Sequence, residues 1–258
     1  MLRLKRREVQ VLAAAMVSIL FFDPGTGASM AKENGVLIVG RFSGEELDTN
    51  GVPVGWPRKN PGNNSKIAIE REKEDYSLHI LRVNDNIALG EKISFDIRKY
   101  PYLSWRWKAG KLPEGGDIRN RETDEQVGQI YVVFPKFPSP VNTRSVGYIW
   151  DNQAPVGLSG TSTAYSKMKY VVLQSGAVQL NRWIWETQNV YEDYQKLFQE
   201  EPPLLGGVVL YINTQHSKSS AEIFYADIFF SSSPPERLGK YAKRMNSGWA
   251  MTTISSTF

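Results

Sequence analysis

The 258-residue chain contains no cysteine, which excludes a disulfide framework, a thiolate nucleophile, a zinc finger and a lipid-modified N-terminal cysteine. It has two histidines, His79 and His216, too few for a multi-histidine metal site or a histidine relay. No G-x-S-x-G elbow, Walker loop or dinucleotide fingerprint occurs, and Leu204-Leu205-Gly206-Gly207 precedes a strand pattern rather than opening a helix. There is also little charge of either sign in excess: 31 basic against 27 acidic residues leaves +4. What is present, 41% hydrophobic, 12% aromatic and 22% charged, is globular composition and argues against disorder, collagen and coiled coil.

The small positive excess sits at the two ends. Arg3, Lys5, Arg6 and Arg7 precede an apolar run from Val9 to Phe22, then Asp23-Pro24-Gly25 and the small residues around Ala28 and Ala31. A basic head, a short apolar stretch and a small-x-small site predict a signal peptide over residues 1–31, cleaved after Ala28 or Ala31. Its apolar run is short of the roughly 17–25 residues that span a bilayer, and no later run is longer, so no transmembrane segment is expected after cleavage. At the other end, residues 236–258 carry Arg237, Lys240, Lys243 and Arg244 against Glu236. Leu238, Tyr241, Ala242 and Met245 share one helical face there, a basic amphipathic tail suited to an anionic membrane or a partner. Between them, residues 32–235 hold 23 basic and 24 acidic side chains. That near-neutral body disfavours nucleic acid as a partner, and the expected location is periplasmic or secreted.

The body alternates in period two. Ile93, Phe95 and Ile97 alternate with Ser94, Asp96 and Arg98, and Leu103, Trp105 and Trp107 with Ser104, Arg106 and Lys108. Further strands are expected over Val36–Phe42, Ser77–Val83, Gln129–Phe134, Val146–Trp150, Lys169–Leu173, Arg182–Glu186, Val208–Asn213 and Ile223–Phe230. Longer connections fall at Asn50–Asn64, Gly110–Gln126 and Pro135–Ser145. One helix is expected after Asn189, with Glu192 at the capping-box position, Val190, Tyr194 and Leu197 on one face, and Pro202-Pro203 as its stop. These elements predict an all-β fold: an antiparallel β-sandwich of jelly-roll type over residues 32–235 with one short side helix.

Several motifs in order carry a resemblance. They are Tyr102-Leu103-Ser104-Trp105-Arg106-Trp107-Lys108, Leu112-Pro113, Ile130-Tyr131-Val132-Val133-Phe134, Tyr148-Ile149-Trp150, Val172-Leu173-Gln174-Ser175-Gly176, the block from Trp183 to Val190, and Tyr225-Ala226-Asp227-Ile228. Together they resemble an exported bacterial family catalogued as domain of unknown function 3047, which implies an exported domain with no established activity. Arg41-Phe42-Ser43, Gly55-Trp56, Ser77-Leu78-His79-Ile80 and Asp227 within the last strand are similar to the ground plan of carbohydrate-binding-module-like (galactose-binding-like) jelly rolls. Such domains often hold a structural calcium, but Arg41 and Ser43 stand near the opening strand and Asn213-Thr214-Gln215-His216 is poor in acid. No metal or other cofactor is therefore expected.

Alternation sends Trp105 and Trp107 to the core and Arg106 and Lys108 to the opposite face. If that face is concave, Arg106 lines a groove with Gln129, Tyr131, Tyr148, Trp150 and Glu186, and the candidate ligand-binding set is Arg106, Tyr148, Trp150 and Glu186. The charges would hydrogen-bond hydroxyls and the aromatics would stack on sugar rings. The competing reading of Arg106 is an ion pair across strands, with Glu186 or Asp124 as partner. In the loop from Gly110 to Gln126, Glu114, Asp117, Glu122, Asp124 and Glu125 interleave with Arg119 and Arg121, which suits a self-neutralising loop better than a calcium site. Glu186 and Asp193 form the one carboxylate pair near aromatics that glycoside hydrolysis would need. The residues favour non-catalytic binding of a glycan or cell-envelope component. A polysaccharide hydrolase or lyase and an envelope assembly protein are the alternatives.

Overall fold

In the computed structural model, residues 32–33, 35–42, 47–48, 51–56, 58–59, 65–72, 75–138 and 141–235 are described. The expected signal peptide and the basic tail lie outside these residues. The strands are β1 (Lys32–Glu33), β2 (Val36–Gly40), β3 (Arg58–Lys59), β4 (Ser65–Glu72), β5 (Asp75–Val83), β6 (Asn86–Phe95), β7 (Tyr102–Lys111), β8 (Gly128–Phe134), β9 (Arg144–Asp151), β10 (Ser159–Thr161), β11 (Met168–Ser175), β12 (Ile184–Asn189), β13 (Leu205–Asn213) and β14 (Ser220–Ser231); among the described residues there is one α-helix, α1 (Val190–Phe198), between β12 and β13, and a short 3-10 turn at Arg121–Thr123.

They form two seven-stranded sheets. In the first, β7 joins β12 on one side and β14 on the other; the far edge of β14 pairs with β5, backed by β4, along its first half and with β2 along its second. The change of partner falls at an irregularity around Asp227, whose φ of 50° is left-handed. Aspartate tolerates that region better than most residues. The second sheet runs β10-β11-β9-β8-β13-β6-β3. Its one parallel pair, β9 with β11, departs from the antiparallel expectation. Residues 152–167, which include β10, provide the long crossover that a parallel pair needs.

The two inner faces meet in one core. Trp105 and Trp107 are fully buried and stand edge to face, ring centres 5.5 Å apart. Trp105 meets Tyr148 at 5.5 Å and Trp107 meets Trp150 at 5.6 Å across the gap between sheets. Aromatic pairs of this kind combine large apolar burial with favourable edge-to-face geometry. Helix α1 closes one side of this core. Its first turn is capped by Asn189, whose side-chain oxygen accepts from the Glu192 backbone N–H at 3.2 Å, as the capping pattern predicts. Tyr194 turns inward against Phe134, and Gln199 ends the helix at φ 57°.

Candidate functional site

Because β7 alternates, Arg106 and Lys108 leave the core face that Trp105 and Trp107 occupy and lie on the outward face of the first sheet. Register then selects their neighbours: Trp185 stands beside Arg106 from β12, Ala226 lies on its other side, and Phe224 stands beside Lys108 with His79 beyond it. Arg106 is only 5% exposed. Its Nε donates to Asp227 at 2.6 Å, Nη2 pairs with the same carboxylate, and Nη1 lies 3.5 Å from Asp75. The guanidinium also sits 5.2 Å from the Trp183 ring centre and 5.5 Å from that of Trp185. A buried cation requires such a partner, and cation–π contact with two indoles offsets part of its lost hydration.

The next row continues the pattern. Lys108 Nζ lies 4.3 Å from the Phe224 ring centre and 5.1 Å from that of Trp183, and it has no ion pair among the described residues. His79 stacks on Phe224 at 4.2 Å with the rings 8° from parallel. Its Nδ1 contacts Glu70 at 2.6 Å and its Nε2 contacts Glu222 at 2.8 Å. With both ring nitrogens occupied by carboxylates from β4 and β14, His79 is a clamp between strands. Trp183, Trp185 and Phe224 are half-buried, so aromatic surface remains in contact with water beside a free ammonium.

The structure separates the four residues singled out from the sequence. Arg106 is on the outward face of the first sheet, while Tyr148 and Trp150 are wholly buried between the sheets. Glu186 also points inward, where its Oε1 accepts from Trp107 Nε1 at 3.2 Å and from Gln174 Nε2 at 2.9 Å. Tyr148, Trp150 and Glu186 therefore share the aromatic core around Trp105 and Trp107, and Arg106 is cut off from them by the sheet itself. The carboxylate that Arg106 takes is Asp227, not Glu186 or Asp124. Gln129 and Tyr131, placed in the same groove from the sequence, belong to the outward face of the second sheet. Trp183, Trp185 and Phe224 were missed. Period two over residues 183–187 carries part of the signal, since it puts Trp185 opposite in sense to Glu186; the pairing of β12 with β7 brings it beside Arg106.

Burial pushes the Glu186 carboxyl up to about 7, against the opposing effect of its bonds from Gln174 and Trp107. Asp193 is likewise raised by burial and accepts from Tyr148 Oη at 2.8 Å. The two carboxylates thus engage different aromatics of the core. Around the Gly110–Gln126 loop, Asp117 is held by Arg119 at 2.7–2.8 Å, and Glu125 accepts from the backbone N–H groups of His216 and Ser217. Among the described residues no three His, Asp or Glu side chains gather as a metal site would require. A separate groove of about 410 Å³ lies between Lys92, Ser94, Pro135 and the Pro203–Gly206 segment.

Two sheets packed through an aromatic core define the class, a β-sandwich with one side helix. The chain belongs to the family described as protein of unknown function (DUF3047), whose model matches residues 55–229. No curated protein matches it. Solved structures similar to it include a carbohydrate-binding module of the β-sandwich superfamily studied for promiscuous specificity, at 12% identity, covering 73% of this chain and 62% of that one, with a TM-score of 0.33. This chain thus spans less than two thirds of that protein. Others are the family 30 carbohydrate-binding module of a Clostridium thermocellum cellulosomal cellulase (10% identity, 76% and 92% covered, TM-score 0.36) and the xyloglucanase domain of the Sinorhizobium fredii effector NopAA (10% identity, 81% and 98% covered, TM-score 0.34).

Proposed function

We propose that the outward face of the first sheet binds a glycan or a related polyhydroxylated component of the cell envelope without reacting with it. The observation that carries this reading is the row of half-buried Trp183, Trp185 and Phe224 interleaved with Arg106 and Lys108 on a single sheet face. Indole and phenyl faces left in water gain by stacking on the C–H faces of sugar rings. The Lys108 ammonium, which has no ion pair among the described residues, offers donors to hydroxyl and ring oxygens beside them. Arg106 is held in place by Asp227 and the two indoles, so it loses little side-chain entropy on binding. The rigid sheet supports Arg106, Lys108, Trp185 and Phe224, and Trp183 stands immediately before β12.

Affinity electrophoresis and calorimetry of the full chain against a panel of soluble neutral and acidic polysaccharides test the reading. At least one is expected to bind, and Trp185→Ala or Lys108→Ala is expected to weaken it about tenfold, a loss of ~1.4 kcal/mol. Binding by neither wild type nor any variant, or unchanged affinity in Trp185→Ala, would sink it. The same reading places the mature chain in the periplasm or outside the cell. N-terminal sequencing of protein from those fractions is expected to begin at Ser29 or Lys32, and recovery of the intact chain from the cytoplasm alone would contradict it.

A further inference from the structure

Strands β9 and β11 run parallel and begin at the same end of the sandwich, with Ser145 opposite Met168. The connection from β8 to β9 lies at that end. Its Phe137 is 91% exposed and its Val141 68% exposed, so both side chains stand clear of the body. The backbone beneath them is braced. Asn142 donates from its backbone N–H to the Pro138 carbonyl and from Nδ2 to the Phe137 carbonyl, both at 3.2 Å, and Tyr165 Oη donates to the Val141 carbonyl at 2.8 Å. A tip already tied at three carbonyls loses little backbone freedom on contact with a partner.

A lone exposed apolar side chain is ordinary, but this tip stands among cations. Lys136 precedes Phe137, Arg144 opens β9, Lys167 lies immediately before β11 and Lys169 is its second residue. The Lys167 carbonyl accepts from the Ser145 backbone N–H at 3.1 Å, which fixes that segment against the start of β9. Arg144 and Lys169 flank the Phe198 ring, 5.1 Å and 5.3 Å from its centre, and Lys169 Nζ donates to the Leu197 carbonyl at the end of α1 at 2.6 Å. One carboxylate serves this group: Glu200 lies 3.1 Å from Lys136 Nζ and also pairs with Arg144. Lys167 and Lys169 have no ion pair among the described residues. The other acids of α1 and its exit are turned elsewhere. Asp193 accepts from Tyr148 in the core, Glu201 accepts from Tyr191 and Gln195, and Glu192 stands in the first turn of the helix, away from Leu197. Four cations against one carboxylate leave a local excess of three positive charges.

We propose that this end of the sandwich docks on an anionic lipid surface, with Phe137 and Val141 entering below the headgroups and Lys136, Arg144, Lys167 and Lys169 held at headgroup level. A bilayer supplies both complements in one plane, an apolar layer for the tip and a negative layer for the cations around it. The Phe137 ring exchanges water for the interface, where aromatic side chains are favoured. Each lysine near a negatively charged bilayer adds about fivefold to partition. The aromatic row of the first sheet takes no part, so this inference stands independently of the glycan-binding reading.

Because the chain has no cysteine, Val141→Cys carries an environment-sensitive fluorophore to the tip alone. Val178→Cys does the same at a control position, 83% exposed beyond the opposite end of β11. The full chain is mixed with vesicles of phosphatidylcholine alone or with about 30% phosphatidylglycerol. The label at position 141 is expected to shift to the blue and to escape quenching by iodide on the anionic vesicles only, and the label at 178 to stay in water throughout. Adding Phe137→Ser to the Val141→Cys chain is expected to weaken partition about tenfold, and adding Lys136→Gln with Lys167→Gln about twenty-five-fold. At 91% exposure Phe137 packs against almost nothing, so the melting temperature of Phe137→Ser is expected to match wild type. Equal shifts on neutral and anionic vesicles, an equal shift at position 178, or undiminished partition in Phe137→Ser or in the double lysine variant overturns the proposal. So does the lack of any shift at position 141, which would leave the tip to a protein partner. Polysaccharide binding and its loss in Trp185→Ala bear on the first-sheet reading alone.

Discussion

Asp227→Asn is expected to lower the melting temperature by about 5–10 °C, corresponding to ~2–3 kcal/mol for a domain of this size. Arg106 is 5% exposed and its Nε and Nη2 both meet the Asp227 carboxylate, while Asp75 stands 3.5 Å from Nη1 and is itself 56% exposed. Removing the near charge leaves a desolvated guanidinium with a weak, hydrated counter-ion. Losing one partner of a fully buried pair costs about 3–5 kcal/mol. The smaller figure here reflects the 35% exposure of Asp227, through which water compensates part of the loss. Asparagine is the informative replacement, because it keeps the shape and tolerates the left-handed backbone at φ 50°. Combining Asp227→Asn with Arg106→Met is expected to recover most of the stability, since no uncompensated charge remains. Thermal unfolding of the two single variants and the double variant checks this. Additive losses would show that Arg106 does not depend on Asp227.

Glu186→Gln is expected to raise stability at pH 8 and leave it unchanged near pH 4. Burial lifts the carboxyl from an ordinary value of 4.5 to about 7, so between those values the folded chain holds a proton that the unfolded chain has released. Stability therefore falls as pH rises through that window and is level above it. The shift sets an upper limit of about 3 kcal/mol on the penalty at pH 8. Glutamine retains an oxygen that can accept from Trp107 and Gln174, but carries no charge to desolvate. Melting curves of both proteins from pH 4 to pH 9 should diverge as wild type passes about pH 5 to 7. Parallel curves would show that the Glu186 carboxylate is well solvated.

Much of the architecture is legible along the chain because it depends on local repeats. The strand from Leu103 to Trp107, its inward tryptophans and the helix capped by Asn189 all follow from period and end signals. Others escaped for identifiable reasons. β4 alternates Ile67 and Ile69 with Lys66 and Glu70, yet its charge hides a half-exposed strand. β12 runs on to Asn189, past the Glu186 expected as its end, because pairing with β7 extends it to the helix cap. The parallel partnership of β9 and β11 has no local signature, since pairing direction depends on how the intervening chain returns.

The candidate site shows the same division more sharply. Alternation along β7 settles that Arg106 opposes Trp105 and Trp107, and alternation along β12 settles that Trp185 opposes Glu186. Neither pattern says which strands share a surface. That is decided by long-range register: Trp185 meets Arg106 because β12 lies against β7 in that alignment, and Asp227 reaches Arg106 from 121 residues away. Tyr148 and Trp150 are enclosed because β9 belongs to the sheet facing β7, and its inner side meets the Trp105–Trp107 pair. By itself, then, the sequence determined the sandwich, the helix and the relative sense of neighbouring side chains within each strand. Which strands face one another, and so which side chains share a surface, was settled by the folded arrangement, because a period of two carries relative orientation while sheet membership and register arise from contacts between distant segments.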